Sequence, residues 1–227
     1  MPVPAPSAPS VPSVPSVPLT LLTWRRAVAA LYADVRSHAA AGGDPAEAHR
    51  RWREGRDALF AEHPDSPIPA RSRAGFAGLA YAPYDAQLRW ILPVHGAVGP
   101  ELREVPTGTD GVVRFERTGR VELPDSRGGL DLWWLLGYGG GLFVPVKDAS
   151  SGRTSYGGGR YLLDTVKGAD LGGSADGAEL VIDLNFAYQP SCAYDPAWAC
   201  PLASPGNTLP GDIQAGELYQ PERYGTA

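Results

Sequence analysis

Side chains able to do chemistry crowd the last third of this chain, between Leu142 and Glu217. Lys147, Asp148, Arg153 and Arg160 bracket the glycine-rich stretch Gly152-Arg153-Thr154-Ser155-Tyr156-Gly157-Gly158-Gly159. Asp183 and Asn185 stand two apart at the end of an apolar run, and Glu217 closes the region. If Lys147, Arg153 and Arg160 converge, they make a site for a carboxylate or phosphate. Asp183, with Asp148 on a neighbouring strand end, offers two carboxylates that can divide acid and base work, or bind a hard cation together with Asn185. On this reading Asp148, Asp183 and Arg160 are the candidate catalytic groups, and Lys147, Thr154, Tyr156, Asn185 and Glu217 the candidate ligand contacts. No metal is assigned and the cofactor is left unknown.

Each feature also has a plainer account. The glycine-rich stretch lacks the Gly-Lys-Ser/Thr ending of a phosphate loop and leads into a strand pattern, so a hairpin loop with glycines at positive φ explains it. On a half-buried antiparallel strand, Asp183 and Asn185 would simply face solvent while Ile182, Leu184 and Phe186 enter the core. Cys192 and Cys200 read as two buried thiols. A disulfide across their short loop is geometrically possible, but a cytoplasmic setting disfavours it. Zinc would need two further ligands that no histidine spacing supplies, and nucleophilic use of Cys192 would need a base, for which His95 is the one candidate. Neither a Gly-x-Ser-x-Gly elbow nor a Gly-x-Gly-x-x-Gly turn in strand-to-helix context is present.

The bulk numbers bound the rest. The chain has 227 residues, 43% apolar, with a net charge of -5 and two cysteines. That is enough for a sizeable core. The acidic balance argues against nucleic acid as the main partner. Arg50, Arg51, Arg53 and Arg56, with Arg71 and Arg73 beyond, read as a solvated helix face partly neutralised by Glu47, Glu54 and Asp57. No apolar run approaches the roughly 20 residues that span a bilayer, and no signal-peptide pattern is evident, so no membrane association and a cytoplasmic location are expected. Oligomeric state is not legible.

Positioning falls to two kinds of element. Residues 1–19 carry seven prolines, at every third position from Pro6 on, and read as a disordered tail of polyproline II character. Trp24, Val28, Leu31, Tyr32 and Val35 fall at helical spacing up to about His38. Asp44-Pro45-Ala46-Glu47 then opens a second helix that buries Ala48, Trp52, Leu59 and Phe60. Strand patterns follow at Gly78–Tyr84, Gln87–Val94, Gly111–Glu116, Gly119–Leu123, Leu130–Leu136, Leu142–Val146, Arg160–Asp164 and Leu180–Phe186, with one more short strand near Ile213. Their close spacing predicts a mainly β fold, an antiparallel sandwich or barrel-like array of about eight strands, with an N-terminal α-helical hairpin. The expected divisions are a tail at 1–19, a hairpin at 20–65, a β domain at 66–218 and a short tail at 219–227.

The strings Phe143-Val144-Pro145-Val146-Lys147-Asp148 through Gly159-Arg160-Tyr161-Leu162, Asp183-Leu184-Asn185-Phe186-Ala187-Tyr188-Gln189-Pro190-Ser191-Cys192-Ala193, Cys200-Pro201-Leu202 and Ala215-Gly216-Glu217 resemble, in that order, an uncharacterised bacterial and archaeal family. It is known as domain of unknown function 1684. The resemblance runs from about Arg51 to Glu217, departing at Gln189, Ser191 and Ala203-Ser204. It implies no reaction. It does imply that the charged and amide residues belong to one constellation, which favours a cleft over solvent-facing accidents.

Three functions are open at this point. One is a protein that binds a small, anionic molecule in a polar cleft, and is an enzyme if it acts on it. The second is a non-catalytic protein in which Asp183, Asn185 and Arg160 form a buried network pinning the C-terminal loop. The third is a scaffold recruited through the proline-rich tail.

Overall fold

The computed structural model describes residues 19–96, 99, 101–107 and 111–223. The proline-rich stretch lies outside them save for Leu19, as do the last four residues. Helix α1 (Thr20–Ala40) and helix α2 (Pro45–Glu62) form an N-terminal pair, followed by the single turn α3 (Ala70–Arg73). Asp44 caps α2 by accepting from the Ala46 N–H at 2.9 Å, and Pro45 fills the first turn, where its missing donor costs nothing. Gly55 lets the helices touch: a side chain there would strike Leu31. Trp52, Arg56 and Phe60, each four apart, fall on one buried face of α2.

Eight strands are described: β1 (Arg89–Pro93), β2 (His95–Gly96), β3 (Leu102–Thr107), β4 (Gly111–Leu123), β5 (Gly128–Leu135), β6 (Gly141–Val146), β7 (Arg160–Asp164) and β8 (Glu179–Asp183). All pair antiparallel. Six form an open sheet in the order β2-β4-β5-β6-β7, with β3 also on β4, and β1 pairs with β8 in a separate two-stranded ribbon. The described strands do not close into a barrel. One hydrophobic core joins Tyr32 and Trp52 of the helices, Leu132, Val144 and Leu162 of the large sheet, Ile182 of the ribbon and Ile213 of the C-terminal segment. A second aromatic cluster, Phe115, Trp133, Phe143 and Tyr161, is held by β4 to β7.

Several elements differ from the sequence expectation for identifiable reasons. Gly111–Glu116 and Gly119–Leu123 are one strand, interrupted only by a bulge between Arg117 and Gly119. Gly78–Tyr84 is no strand of a sheet. Its Ala82 N–H and Ala80 carbonyl bond instead to Gly216 and Leu218 of the C-terminal segment, and Pro83 brings no donor to extend the pairing. The segment at Ile213 is irregular, because its backbone is taken up by side chains of other elements. The last expected strand stops at Asp183, whose carboxylate caps a 3₁₀ turn over Leu184–Phe186. Strand β3 went unrecognised because Arg103, Glu104 and Pro106 break its apolar pattern, yet β4 supplies its ladder.

Trp52 is almost wholly buried and contacts Tyr32, Tyr81 and Phe186. Trp52→Ala is therefore expected to cost about 3–5 kcal/mol in urea unfolding. The fully exposed Tyr138 should tolerate replacement by Ser within about 0.5 kcal/mol.

Candidate functional site

Strand β6 ends at Val146, and Lys147 is locked at once to the C-terminal segment. Its N–H bonds to the Asn207 carbonyl at 2.8 Å and its carbonyl accepts from Leu209 at 2.7 Å. The Lys147 side chain is half-buried and makes no ion pair among the described residues. Asp148, next in line, is buried. One of its oxygens accepts from the N–H groups of Ser150 (2.8 Å) and Ile213 (3.3 Å), and the other from Arg160 Nη2 at 2.7 Å. Arg160, at the start of β7, is 1% exposed. Its guanidinium also donates to the carbonyls of Ala215, Glu217 (3.3 Å) and Ile213 (3.5 Å). Burial pushes the Asp148 carboxyl up, but the Arg160 charge and the donors around it outweigh burial and hold it below the usual range.

The glycine-rich loop turns on itself. The N–H groups of Arg153, Thr154 and Ser155 all point to the Ser150 carbonyl, and Gly152 donates to Ser155. Gly152 and Gly159 hold positive φ, as the hairpin reading expects. Thr154 offers its carbonyl to Tyr219 at 2.9 Å, and Arg153 reaches Asp212 at 3.0 Å. The N–H groups of Gly152 to Ser155, and that of Gly159 on the Tyr156 carbonyl, are thus spent inside the loop rather than aimed outward as a phosphate cradle.

Asp183 lies elsewhere, on β8, where its cross-strand partner is Arg89 of β1. The structure does not bring it beside Asp148. Nor do Asp183 and Asn185 share a strand face. Asp183 Oδ1 accepts from the Asn185 backbone N–H (3.0 Å) and side-chain amide (2.8 Å), which bends the chain into the 3₁₀ turn. Asn185 is completely buried and clamps both backbone groups of Asp85, at 2.8 and 2.9 Å, tying the ribbon to the segment before β1. His49 Nε2 sits 2.9 Å from the Asn185 carbonyl. Burial, with the Arg53 charge, drives the His49 pKa down to about 4, so the ring is neutral at pH 7 and carries its proton on Nε2 to make this bond. Burial raises Asp183 to about 6, since Arg89 stands back at 3.8 Å and compensates weakly.

Glu217 is fully buried and serves α2. Its carboxylate accepts from Arg56 Nη2 (2.9 Å), from the backbone and side-chain amides of Gln189 (3.0 and 3.1 Å), and from the Tyr194 hydroxyl. Burial raises its pKa, with Arg56 opposing. Arg56 also donates to the Tyr81 hydroxyl at 2.9 Å and lies about 5 Å from the ring centres of Trp52, Phe60 and Tyr188. Arg56 is thus no member of a solvated face. Its spacing from Trp52 and Phe60 was the signal that could have found it. Asn207 is a comparable hub, joining Trp133, Ser204 and the carbonyls of Asp131 and Pro145 at 2.8–2.9 Å.

A hollow lies against these networks rather than within them. A cavity of about 90 Å³ opens between Trp24 and Tyr32 of α1, Arg56 and Phe60 of α2, Asp164 and Lys167 after β7, and the loop from Tyr188 to Cys200. None of the eight residues named from the sequence lines it. Glu217 reaches its wall through Arg56, Gln189 and Tyr194. Two wall residues, Tyr32 and Gln189, carry buried side-chain oxygens without a hydrogen-bond partner. Cys192 and Cys200 are free and partly exposed. Among the described residues no His, Cys, Asp or Glu side chains gather in threes as a metal would require, and no helix is long and apolar enough to cross a membrane.

The family model described as "Protein of unknown function (DUF1684)" matches residues 74–218, most of the chain. The chain belongs to this family. The match begins after α3, later than the Arg51 expected from the sequence strings, so α1 and α2 lie outside it. A similar solved structure is the solution structure of an uncharacterized protein from gene locus rrnAC0354 of Haloarcula marismortui. It is 33% identical, covers 73% of this chain and 89% of its own, and superposes with a TM-score of 0.52. No curated protein matches. Among DUF1684 proteins, this chain thus has the family's β portion and two helices packed on it.

Two outcomes follow from the buried carboxylates. Asp148→Ala leaves the Arg160 charge buried without a counter-ion and should lower unfolding free energy by about 3–5 kcal/mol in urea titration. A loss under about 1 kcal/mol would mean that the pair is solvated. Asp183 is protonated below about pH 3.8 in folded and unfolded chains alike. Between there and about pH 6 only the folded chain keeps the proton, so stability falls as pH rises through that window and levels off above it. Asp183→Asn should remove this fall, and equal pH slopes for variant and wild type would show that the carboxyl titrates normally.

Proposed function

We propose that the protein binds a small anionic organic molecule in the cavity between the helical pair and the Tyr188–Cys200 loop, and that the motif residues are the frame of this site. The observation that carries this reading is the composition of the cavity wall. Rings of Trp24, Phe60, Tyr161, Tyr188 and Tyr194 give an apolar body, while Arg56 and Lys167 outnumber the single carboxylate of Asp164. Convergent polar groups in an apolar hollow are the usual signature of a ligand site. Its volume of about 90 Å³ is well below the roughly 300–1,000 Å³ of drug-sized pockets, which limits the ligand to a small acid. Lys167 is the mobile cation: its side chain is about half exposed and pairs with Asp164 at 3.2 Å, so it can turn to a bound carboxylate. Arg56 is committed to Glu217 and contributes field rather than a free donor.

The second reading, a non-catalytic fold whose polar motifs are structural, is favoured by a different fact. Asp148, Asn185, Asn207 and Glu217 each spend their oxygens on buried partners of the same chain. The two readings divide on whether anything occupies the cavity.

Native mass spectrometry of the purified protein, followed by thermal shift with a panel of small carboxylates and inorganic phosphate, tests the proposal. A bound ligand at about one hundred times its Kd should add about 2.7 kcal/mol of stability. Lys167→Ala should weaken binding about tenfold or more; because the buried Asp164 loses its ion pair, the ligand-free melting temperature should fall as well, and Lys167→Arg should restore both. No co-purified mass, no shift with any panel member and no effect of Lys167→Ala on binding would leave the structural reading standing.

A further inference from the structure

We propose that the cavity between the helical pair and the Tyr188–Cys200 loop selects a small hydroxy acid, a carboxylate whose own hydroxyl is read by Gln189 and Tyr32. This rests on the reading that a small anion occupies the cavity, and adds what the anion must carry besides its charge. Charge alone leaves part of the wall unanswered. Lys167, with its side chain about half exposed at the rim, offers its ammonium to a carboxylate. Deeper in, two groups hold unspent hydrogen-bonding capacity of complementary kinds.

Gln189 is 2% exposed and lines the cavity. Its side-chain nitrogen gives both hydrogens away, to Glu217 Oε1 at 3.1 Å and to the Leu218 carbonyl at 3.0 Å. Both partners are acceptors, so the amide cannot be turned over without setting its oxygen against them. Neither Glu217 nor Leu218 lines the cavity, which leaves the oxygen as the end of the amide that faces the hollow. That oxygen is buried and has no partner. A carbonyl oxygen only accepts, and one left unpaired away from water is costly, so it calls for a donor.

Tyr32, on α1, is as deeply buried, and its hydroxyl is also without a partner. The Trp52 indole N–H, likewise unpartnered, can add only to the lone pairs of that hydroxyl and leaves its hydrogen unspent. Burial holds the phenol well above its ordinary range, so it keeps its proton and can donate it. The Tyr32 and Gln189 oxygens do not bond each other.

A ligand hydroxyl answers both groups at once, giving its hydrogen to the Gln189 oxygen and accepting one from Tyr32. A carboxylate oxygen accepts from Tyr32 but gives Gln189 nothing, and an ammonium gives to Gln189 but cannot accept from Tyr32. Water both gives and accepts, but it needs about two to four polar partners, and the wall is mostly aromatic or aliphatic. A site built around a hydroxyl rejects the analogue that lacks it, because its own buried groups are then left unpaired. The volume of about 90 Å³ confines the acid to a few carbons, with the hydroxyl close to the carboxylate.

Isothermal titration calorimetry of the full-length protein tests this with both enantiomers of lactate, with propanoate and the fluoro analogue of lactate, in which hydrogen or fluorine replaces the hydroxyl, and with alanine. The better enantiomer of lactate should bind at least about tenfold tighter than either hydroxyl-free acid or alanine. Tyr32→Phe removes only the unpartnered hydroxyl, so the ligand-free melting temperature should not fall, while the preference for lactate over propanoate should drop about fivefold or more. Equal affinities for lactate and propanoate would overturn the hydroxyl assignment and leave the anion site standing. Tighter binding of alanine would replace the hydroxyl with an ammonium and overturn it too. An unchanged preference in Tyr32→Phe would overturn the part given to Tyr32. If no acid of the panel binds, the anion site and the hydroxyl assignment fail together.

Discussion

The guanidinium of Arg160 sits where water does not reach, and a charge in that position must be answered by the protein alone. Asp148 answers it with one oxygen, and the carbonyls of Ile213, Ala215 and Glu217 accept from its two terminal nitrogens, while its Nε is buried without a partner. Those three carbonyls alternate along a segment with no strand partner of its own in the large sheet. Arg160 therefore does for this segment what a neighbouring strand would otherwise do. Once residue 217 is fixed in this way, its own side chain has one place to go, and it meets Arg56 from α2. Two ion pairs thus stand in series, β6–β7 to the C-terminal segment, and that segment to the helices. Whether such pairs add net stability over apolar side chains of the same shape is doubtful on general grounds, since desolvation takes back most of the attraction. What they do supply is a constraint: a different docking of the segment would have to answer both buried charges again.

The same logic separates three buried carboxylates that the sequence presents as equivalent. Asp148 has a guanidinium at 2.7 Å and is held ionised. Asp183 has its nearest cation at 3.8 Å and is pushed toward the neutral form. Glu217 is raised by complete burial, although Arg56, Gln189 and Tyr194 ring it. Distance to the counter-charge alone does not sort them: Glu217 has a guanidinium at 2.9 Å and its complete burial raises it all the same. His49 obeys the rule in reverse: with no carboxylate against its ring, burial leaves it neutral and useful as a hydrogen-bond donor to Asn185.

These pairings explain which parts of the molecule were legible in advance. Local signals were read well: the Asp44-Pro45 cap, the apolar periods of α1 and α2, and the apolar runs that became β4 to β8 all depend on neighbours in sequence. Asn185 was misplaced because the strand pattern Val181 to Phe186 continues unbroken through Asp183, and only the cap formed by that carboxylate ends it. The role of Arg56 depends on Glu217, 161 residues away, and no local pattern carries such a contact. Gly78–Tyr84 has strand composition and finds a β-like partner, but in the C-terminal segment rather than in a sheet. The residues with chemical character were therefore recognised, while their partners, and hence their roles, were set by contacts the chain makes over long separations.

That outcome moves the search for activity away from the motif's charged residues. A carboxylate or guanidinium whose bonding directions are occupied by its own chain can position neighbours, but a ligand would have to break the fold to reach it. Among the groups still able to engage an outside molecule are Lys147 after β6 and, along the Tyr188–Cys200 loop and the turn after β7, Lys167, Ser191, Cys192 and Cys200. This loop is anchored at one end by Gln189 on Glu217 and at the other by Tyr161 on Pro201. Its anchors thus belong to the same frame that Arg160 organises. A hollow beside such a loop needs a wall that does not collapse when empty, and hanging the loop on well-bonded supports meets that need, which is a physical reason for so polar a motif to be buried.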